Sequence, residues 1–370
     1  MSPMKPSDYD YDLPSERIAQ RPVKPRDASR LLYLRTQFGG ARSRAVDPGT
    51  KGFTTEHTLF QTLPEILRRG DLLVVNDTRV VPARLRGTKS ATGGKIEVLL
   101  LEHLGSDRWI ALARGLSRAR AGTKLSFHRR PQEGGGPQSE ERLAGEVMAH
   151  RAKGVVELAL SGPDAREPMR LGEMPIPPYI RRGHADEKDV NDYQSLFGVH
   201  AGAVAAPTAS LHFTPQILQR LDDRGVKRAS VTLHVGWGTF ASIEGVDLAT
   251  HRLHAESYKI EPPDAAAITE ARDEGRRVIA IGTTVARVLE TITDARGRLT
   301  AGAGTTDLFI QPGHQFRCVE GLLTNFHLPR SSLLMMVCAF AGREPILNAY
   351  RDAVKHGYRF YSYGDAMLIL

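Results

Sequence analysis

The chain has 370 residues, 41% hydrophobic and 25% charged, with a formal net charge of +8. That is ordinary globular composition with length for two domains, and its basic balance suits a polyanion such as nucleic acid or a surface with no dedicated partner. Two cysteines, Cys318 and Cys338, form no CxxC pair, which argues against a disulfide framework or a cysteine zinc site.

The opening MSPMKPSDYDYDLP lacks the apolar core of a signal peptide. The longest apolar run, LLMMVCAFAG at 333–342, is too short to span a bilayer. A soluble, cytoplasmic protein is expected, with no membrane partner. Residues 8–35 read as a short helix-like piece followed by a strand, and Thr36–Thr55, without periodicity, as an exposed loop. PEILRRG (64–70) gives one or two helical turns stopped by Gly70. DLLVVNDTRVVPARLRG (71–87) supplies a strand that runs into polar residues.

The texture then changes. KIEVLLLEH, RWIALAR, GTKLSFHRR, RLAGEVMAH and GVVELALSG, between 95 and 162, are short strands at regular spacing with no helix between them. That pattern predicts a small antiparallel barrel or sandwich. After the proline-rich connector EMPIPPYI the pattern becomes mixed, with helices expected over 214–225, 262–275, 283–292 and 343–357. The expected fold class is α/β: a barrel-like mixed main domain over 1–78 and 171–370, interrupted by an inserted antiparallel β-barrel over 79–170.

Five blocks run an apolar stretch into polar residues: GAVAAPTASLHFTP, TLHVGWGTF, VIAIGTTVARVLE, LLTNFHLPRSS and YSYGDAML. Buried parallel strands read as continuous apolar runs, and function gathers just beyond their ends, so the blocks point to one composite site. Gly282, Thr283 and Thr284 open a helix whose free N–H groups suit a carboxylate, phosphate or ribose hydroxyl, or the threonines act only as caps. No GxxxxGKS/T is present, which argues against a P-loop. VTLHVGWGTF places His234 inside a strand, followed by Gly236 and Gly238, which let a ligand approach the backbone. HRLHAESYKI suggests a strand from about 254 with His254 and Glu256 on one face. That pair suits a base tuned towards neutrality, or is a surface hydrogen-bonded pair. No third ligand stands at telling spacing, so no metal is expected. Asn325 and His327 stand at a strand end, and NDTRVVPAR offers Asn76, Thr78, Arg79 and Arg84 near the entry to the inserted domain.

GDLLVVNDTRVVPARLRG, GGKIEVLL, PPYI, GAVAAPTASLHFT, TLHVGWGTF, HAE, VIAIGTTVARVLE, PGHQF, LLTNFHLPRSSLLMMVCAFAG and YRFYSYGDAML follow in one order. With them the chain resembles, from about Tyr9 to Leu370, the S-adenosylmethionine:tRNA ribosyltransferase-isomerase family of queuosine biosynthesis. Asp77 departs from the family pattern, where Asn is common. The resemblance implies transfer and isomerisation of the ribosyl part of S-adenosylmethionine onto the aminomethyl group of 7-aminomethyl-7-deazaguanine at the tRNA wobble position. Epoxyqueuosine forms, and adenine and methionine leave. It implies S-adenosylmethionine as co-substrate, the tRNA anticodon loop as partner, and no prosthetic group or metal.

Two deprotonations are needed, one at C5′ beside the sulfonium and one at an amine with a free pKa of roughly 10. Histidine suits both. His254 with Glu256 is the expected base pair, and His234 or His327 the second proton-transfer group. Thr283, Thr284, Gly282, Gly236, Gly238 and Asn325 are expected to hold S-adenosylmethionine. Asn76, Thr78, Arg79, Arg84 and Asp365 are expected to contact the modified base or RNA. Basic residues of the inserted domain, Arg114, Arg118, Arg120, Lys124, Arg129 and Arg130, form the expected tRNA surface. Two rival readings are a conventional RNA methyltransferase, which lacks its glycine-rich strand–helix fingerprint here, and a non-catalytic basic RNA-binding protein, which leaves the strand-end residues without a purpose.

Overall fold

The computed structural model describes residues 5–36, 53–128, 143–151, 154–236, 248 and 253–370. The chain divides into two compact units, Met1–Arg79 with Asp192–Leu370, and Val80–Asn191. In chain order the elements begin with β1 (Arg30–Thr36), β2 (Phe53–Leu59), α1 (Leu63–Ile66), β3 (Leu72–Asn76) and β4 (Thr78–Val80). Then come β5 (Arg84–Lys89), β6 (Lys95–Gly105), β7 (Arg108–Arg114), β8 (Lys124–Phe127), β9 (Leu143–His150), β10 (Val155–Ser161) and α2 (Asp189–Asp192). The chain continues with β11 (His200–Ala203), α3 (Pro215–Asp223), β12 (Lys227–Leu233), β13 (Glu256–Ile260), α4 (Pro262–Asp273), β14 (Val278–Ile281) and α5 (Thr283–Ile292). It closes with β15 (Gly302–Thr306), β16 (Gly321–Asn325), α6 (Ser332–Ala341), α7 (Arg343–Lys355) and β17 (Ala366–Ile369).

The main unit is built on a nine-stranded mixed sheet in the order β15-β13-β12-β3-β14-β16-β17-β1-β2. Its four central strands, β12, β3, β14 and β16, are mutually parallel. Every residue of β3, β14 and β16 is buried, as strands covered on both faces must be. Successive side chains point to opposite faces and feed separate cores. Leu72, Val74, Val278, Ala280 and Leu322 join one, with residues of α4 to α7, while Leu73, Val75, Ile279, Ile281 and Leu323 join the other, with Ile217 and Leu221 of α3. The helix α3 starts at Thr214, whose hydroxyl accepts from the Ile217 N–H at 3.3 Å, a normal N-cap.

The strand pairing of the main sheet runs from β15 to β2, in contrast to the closed six-stranded barrel of the second unit, β10-β7-β6-β5-β8-β9, in which all pairs are antiparallel. Alternation fills the barrel: Leu143 and Val147 of β9, and Val156, Leu158 and Leu160 of β10, are buried. A Cβ at Gly87 would sit 2.2 Å from the Ser126 carbonyl oxygen, so the crossing of β5 and β8 requires glycine there. The segment 171–191, expected in the main domain, belongs to this unit. Arg84 holds it, donating to the Gly183 and Ile176 carbonyls at 2.6 and 3.0 Å, and Arg86 pairs with Glu173 at 2.9 Å. The loop expected over Thr36–Thr55 is shorter at both ends, because Thr36 closes β1 and residues 53–55 open β2, which pairs with β1. Residues 37–52 and the whole of the 131–141 turn lie outside the described residues.

Candidate functional site

Asn76, His234, Gly282 and Asn325 lie at or just beyond the C-terminal ends of β3, β12, β14 and β16. In an open α/β sheet this edge is where ligands bind. Strands are about 4.8 Å apart, so the row from β12 to β16 spans about 14 Å.

His234 stands one residue past β12 rather than inside it. The Asn76 side chain, fully buried, donates to the Leu233 carbonyl at 2.9 Å and accepts from the Leu233 and Thr78 N–H groups at 3.1 Å each. Its hydrogen bonds therefore tie β3 to β12 and fix the backbone that carries His234, and its expected role as a substrate contact gives way to this one. His234 Nδ1 lies 2.8 Å from Thr78 Oγ1, whose hydroxyl faces the His200 carbonyl at 3.4 Å. With Thr78 donating to that carbonyl, Nδ1 carries the ring proton and Nε2 keeps the lone pair. Burial lowers the His234 pKa; the nearby His200 adds to this, and Asp77 opposes it. A Cβ on Gly202, at φ +149°, would fall 2.9 Å from the His234 ring, so this glycine lets the ring lie against the backbone. Asp77 accepts from Thr232 at 2.6 Å, and burial raises its pKa against that hydrogen bond.

Glu256, expected beside His254 on a strand from about 254, is the first residue of β13 and is buried, whereas His254 is exposed and precedes the strand. One carboxylate oxygen accepts from the Gly236 N–H at 2.8 Å, and the other from Arg287 Nη1 of α5 at 2.5 Å. Arg287, 2% exposed, also donates to the Leu308 carbonyl at 3.1 Å. A carboxylate held on both oxygens, one by a buried guanidinium, is a positioning group: it anchors Gly236, two residues beyond His234. Gly238 lies outside the described residues.

The second half of the row surrounds β14 and β16. Gly282, at φ +99°, caps α5 without a side-chain hydrogen bond, and Thr283 and Thr284 are buried behind it. The first N–H groups of a helix have no partner within it. Asn325 Nδ2 lies 3.2 Å from His212 Nε2 and 3.1 Å from the Tyr361 carbonyl, and His212 Nδ1 lies 2.8 Å from Ser29 Oγ. Burial holds His212 neutral, with its pKa lowered to about 3. Asn325 Oδ1 and Ser210 Oγ are buried without a partner among the described residues, an arrangement that native structures rarely leave unused.

Besides Asn76 and His254, four expected site residues lie elsewhere or are occupied. Arg84 is committed to the barrel unit, as described above. Arg79 is exposed. Asp365 accepts from the backbone N–H groups of Arg30 and Arg359 at 3.1 and 2.7 Å, which makes it a brace for the sheet edge. His327 meets Thr324 Oγ1 at 2.8 Å, and burial lowers its pKa to about 3, too far from neutral for a proton carrier at pH 7. Reading the sequence missed His212, Gly202 and Arg287. Arg287 had a signal: it is the one charged residue in the run TTVARVL, and a charge inside an apolar helical run implies a buried partner.

The family profile described as queuosine biosynthesis protein matches residues 6–369. The chain is 47% identical to the S-adenosylmethionine:tRNA ribosyltransferase-isomerase of Moorella thermoacetica, with 99% of this chain and 100% of the relative covered. It is 49% identical to the protein of that name from Anaeromyxobacter sp., covering 99% of each. Among solved structures, the S-adenosylmethionine tRNA ribosyltransferase of Thermotoga maritima is 36% identical with a TM-score of 0.53, over 98% of this chain and all of that one.

Proposed function

Since the chain belongs to the family of queuosine biosynthesis proteins, we propose that it transfers the ribosyl part of S-adenosylmethionine to tRNA and isomerises it. The acceptor is the aminomethyl group of 7-aminomethyl-7-deazaguanine at the wobble position, the product is epoxyqueuosine, and adenine and methionine are released. S-adenosylmethionine is consumed as a co-substrate and no prosthetic group takes part. Action on tRNA places the protein in the cytoplasm, and among the described residues no helix is long and apolar enough to cross a membrane.

The observation that carries this reading is the half-buried His234, with Nδ1 on Thr78 and a lowered pKa. A neutral imidazole at the end of a parallel strand suits abstraction of the C5′ proton that the sulfonium has acidified. Removing that proton gives an ylide, from which adenine departs. Asn76 and the Glu256–Arg287 pair hold the backbone on either side of the base. The α5 N-terminus with Thr283 and Thr284, and the Asn325–His212 pair, are suited to the ribose hydroxyls and the methionyl carboxylate. The anticodon loop is received by splayed bases and phosphate contacts, for which exposed arginines, Arg79 among them, provide charge.

The test follows adenine release and tRNA nucleoside mass together in purified protein supplied with both substrates. His234→Ala is expected to lose turnover by about 10²–10⁴ while S-adenosylmethionine still binds. His254→Ala is expected to retain turnover within a few-fold. Normal turnover in His234→Ala would remove His234 from the chemistry, and methyl transfer to RNA would replace the whole reading.

A further inference from the structure

The turn that follows the proline-rich connector of the barrel unit is built on backbone that side chains avoid. Arg181 and Arg182 have φ of +43° and +54°, and Gly183 follows at +76°. Left-handed backbone crowds the Cβ of an L-residue, so Gly, and occasionally Asn or Asp, visits it routinely, and then singly. Residues held there against their preference persist only where the surrounding structure over-determines them, and they cluster at ligand clamps. We propose that this turn presents Arg182 as a phosphate anchor for the RNA backbone, an inference that rests on the reading of tRNA as substrate.

The bonds that hold the turn are all internal. The Gly183 and His184 N–H groups donate to the Ile180 and Arg181 carbonyls at 2.8 and 3.0 Å. Arg84 clamps the Gly183 carbonyl, and a Cβ on Gly183 would fall 3.3 Å from Arg84 Nη1. Arg181 pairs with Asp189, whose side chain is fully enclosed, and its Nε donates to the His184 carbonyl at 3.3 Å. Asp189 also accepts from the Asp186 N–H at 2.8 Å. Arg86 completes the set, pairing with Glu97 at 3.0 Å and Glu173 at 2.9 Å. Three of the four arginines around this turn are therefore consumed by the fold. Arg182 is exposed, with no ion pair or side-chain hydrogen bond among the described residues.

That division carries the inference. If position 182 served only to close the turn, Gly or Asn would hold the same backbone with less crowding. An exposed side chain gains nothing from packing, so the arginine is accounted for by what it meets from solvent. Its backbone, at φ +54° and ψ +31°, is fixed by the bonds on either side, so less freedom is lost when the guanidinium is engaged. The planar guanidinium places two parallel N–H groups on a phosphate, and the formal charge of +8 favours a polyanion. A phosphate contact fixes the register of a nucleic acid without reading its sequence, which suits an enzyme whose chemistry is at one wobble base. The turn lies outside the expected surface of Arg114, Arg118 and Arg120, and adds to it a contact set in place by the backbone.

The experiment measures binding of a fluorescent tRNA transcript to the full chain over a range of salt, with melting temperature and S-adenosylmethionine calorimetry on the same samples. Arg182→Asn, which suits left-handed backbone, is expected to melt no lower than the parent and to bind S-adenosylmethionine equally. Its tRNA affinity is expected to fall about tenfold, and its slope of log affinity against log salt to shrink by about 0.7–0.9, one phosphate contact. Arg182→Lys keeps the charge and is expected to retain the slope while losing part of the affinity. A parental slope and affinity in Arg182→Asn overturn the anchor and leave the proposed function standing. A melting temperature several degrees lower also overturns it, because the side chain then works within the fold. Failure of the unaltered chain to bind tRNA at all overturns the proposed function and this inference together.

Discussion

The buried Glu256–Arg287 pair separates a structural carboxylate from a catalytic one. Glu256→Gln removes the charge but keeps an acceptor for the Gly236 N–H, and it leaves Arg287 with the Leu308 carbonyl at 3.1 Å and the Thr306 carbonyl at 3.5 Å. Breaking a buried pair from one side costs about 3–5 kcal/mol. The remaining carbonyls put Glu256→Gln near the lower end, about 3 kcal/mol. Arg287→Met leaves the Glu256 carboxylate buried without its guanidinium, with the Gly236 N–H still donating to it, and belongs near about 5 kcal/mol. In the double variant no charge is left buried. It is therefore expected to be more stable than the sum of the single effects by about 2–3 kcal/mol. Urea unfolding followed by far-ultraviolet circular dichroism gives the stabilities, and adenine release gives turnover on the same samples. At roughly 2–4 °C per kcal/mol for a unit of this size, Glu256→Gln melts about 6–12 °C below the parent. A Glu256→Gln protein with parental stability and no turnover would refute the positioning role and restore Glu256 as the base. Strictly additive single effects would refute the pair itself.

Three further outcomes follow from the geometry. Gly202→Ala sets a methyl group 2.9 Å from the His234 ring on a backbone at φ +149°; it should cost about 1–3 kcal/mol of stability, and about 10²-fold in turnover by displacing the base, measured by unfolding and adenine release. His212 and His327 bind a proton only near pH 3 when folded, against about 6.5 when unfolded. The unfolded chain therefore takes up protons first, and stability falls as pH drops below about 6.5 by about 1.4 kcal/mol per unit per histidine, about 4 kcal/mol in all by pH 5; urea midpoints that stay level between pH 7.5 and 5 would contradict neutral core histidines. On the barrel unit Arg114, Arg118 and Arg120 are exposed, and reversing all three to Glu is expected to weaken tRNA binding and flatten its salt dependence while S-adenosylmethionine binding, read by calorimetry, stays unchanged. Arg129 and Arg130 lie outside the described residues.

Much of the architecture was legible because its causes are local. Short alternating strands without helices announced the barrel, and proline and glycine punctuation placed α3, α4, α5 and α7 to within two residues at each end. The motif order carried the family, because ten blocks in sequence do not need a fold to be recognised. The gathering of the candidate residues at strand ends was legible for the same reason: a buried parallel strand must be an apolar run, and its polar sequel must be a loop. The assignment of individual roles was not. His254 and Glu256 read as neighbours on a strand, yet Glu256 answers to Arg287, 31 residues away. Asn76 read as a ligand contact, yet its amide is filled by Leu233, 157 residues away. His327 read as a proton carrier, and only its enclosure by the core makes it a poor one. Periodicity reports which face of an element is buried, but a polar group's function depends on whether its hydrogen bonds are already satisfied. Those partners are brought together only when distant strands pair, so secondary structure and family were decided by sequence, and the division between catalytic and structural side chains by tertiary packing.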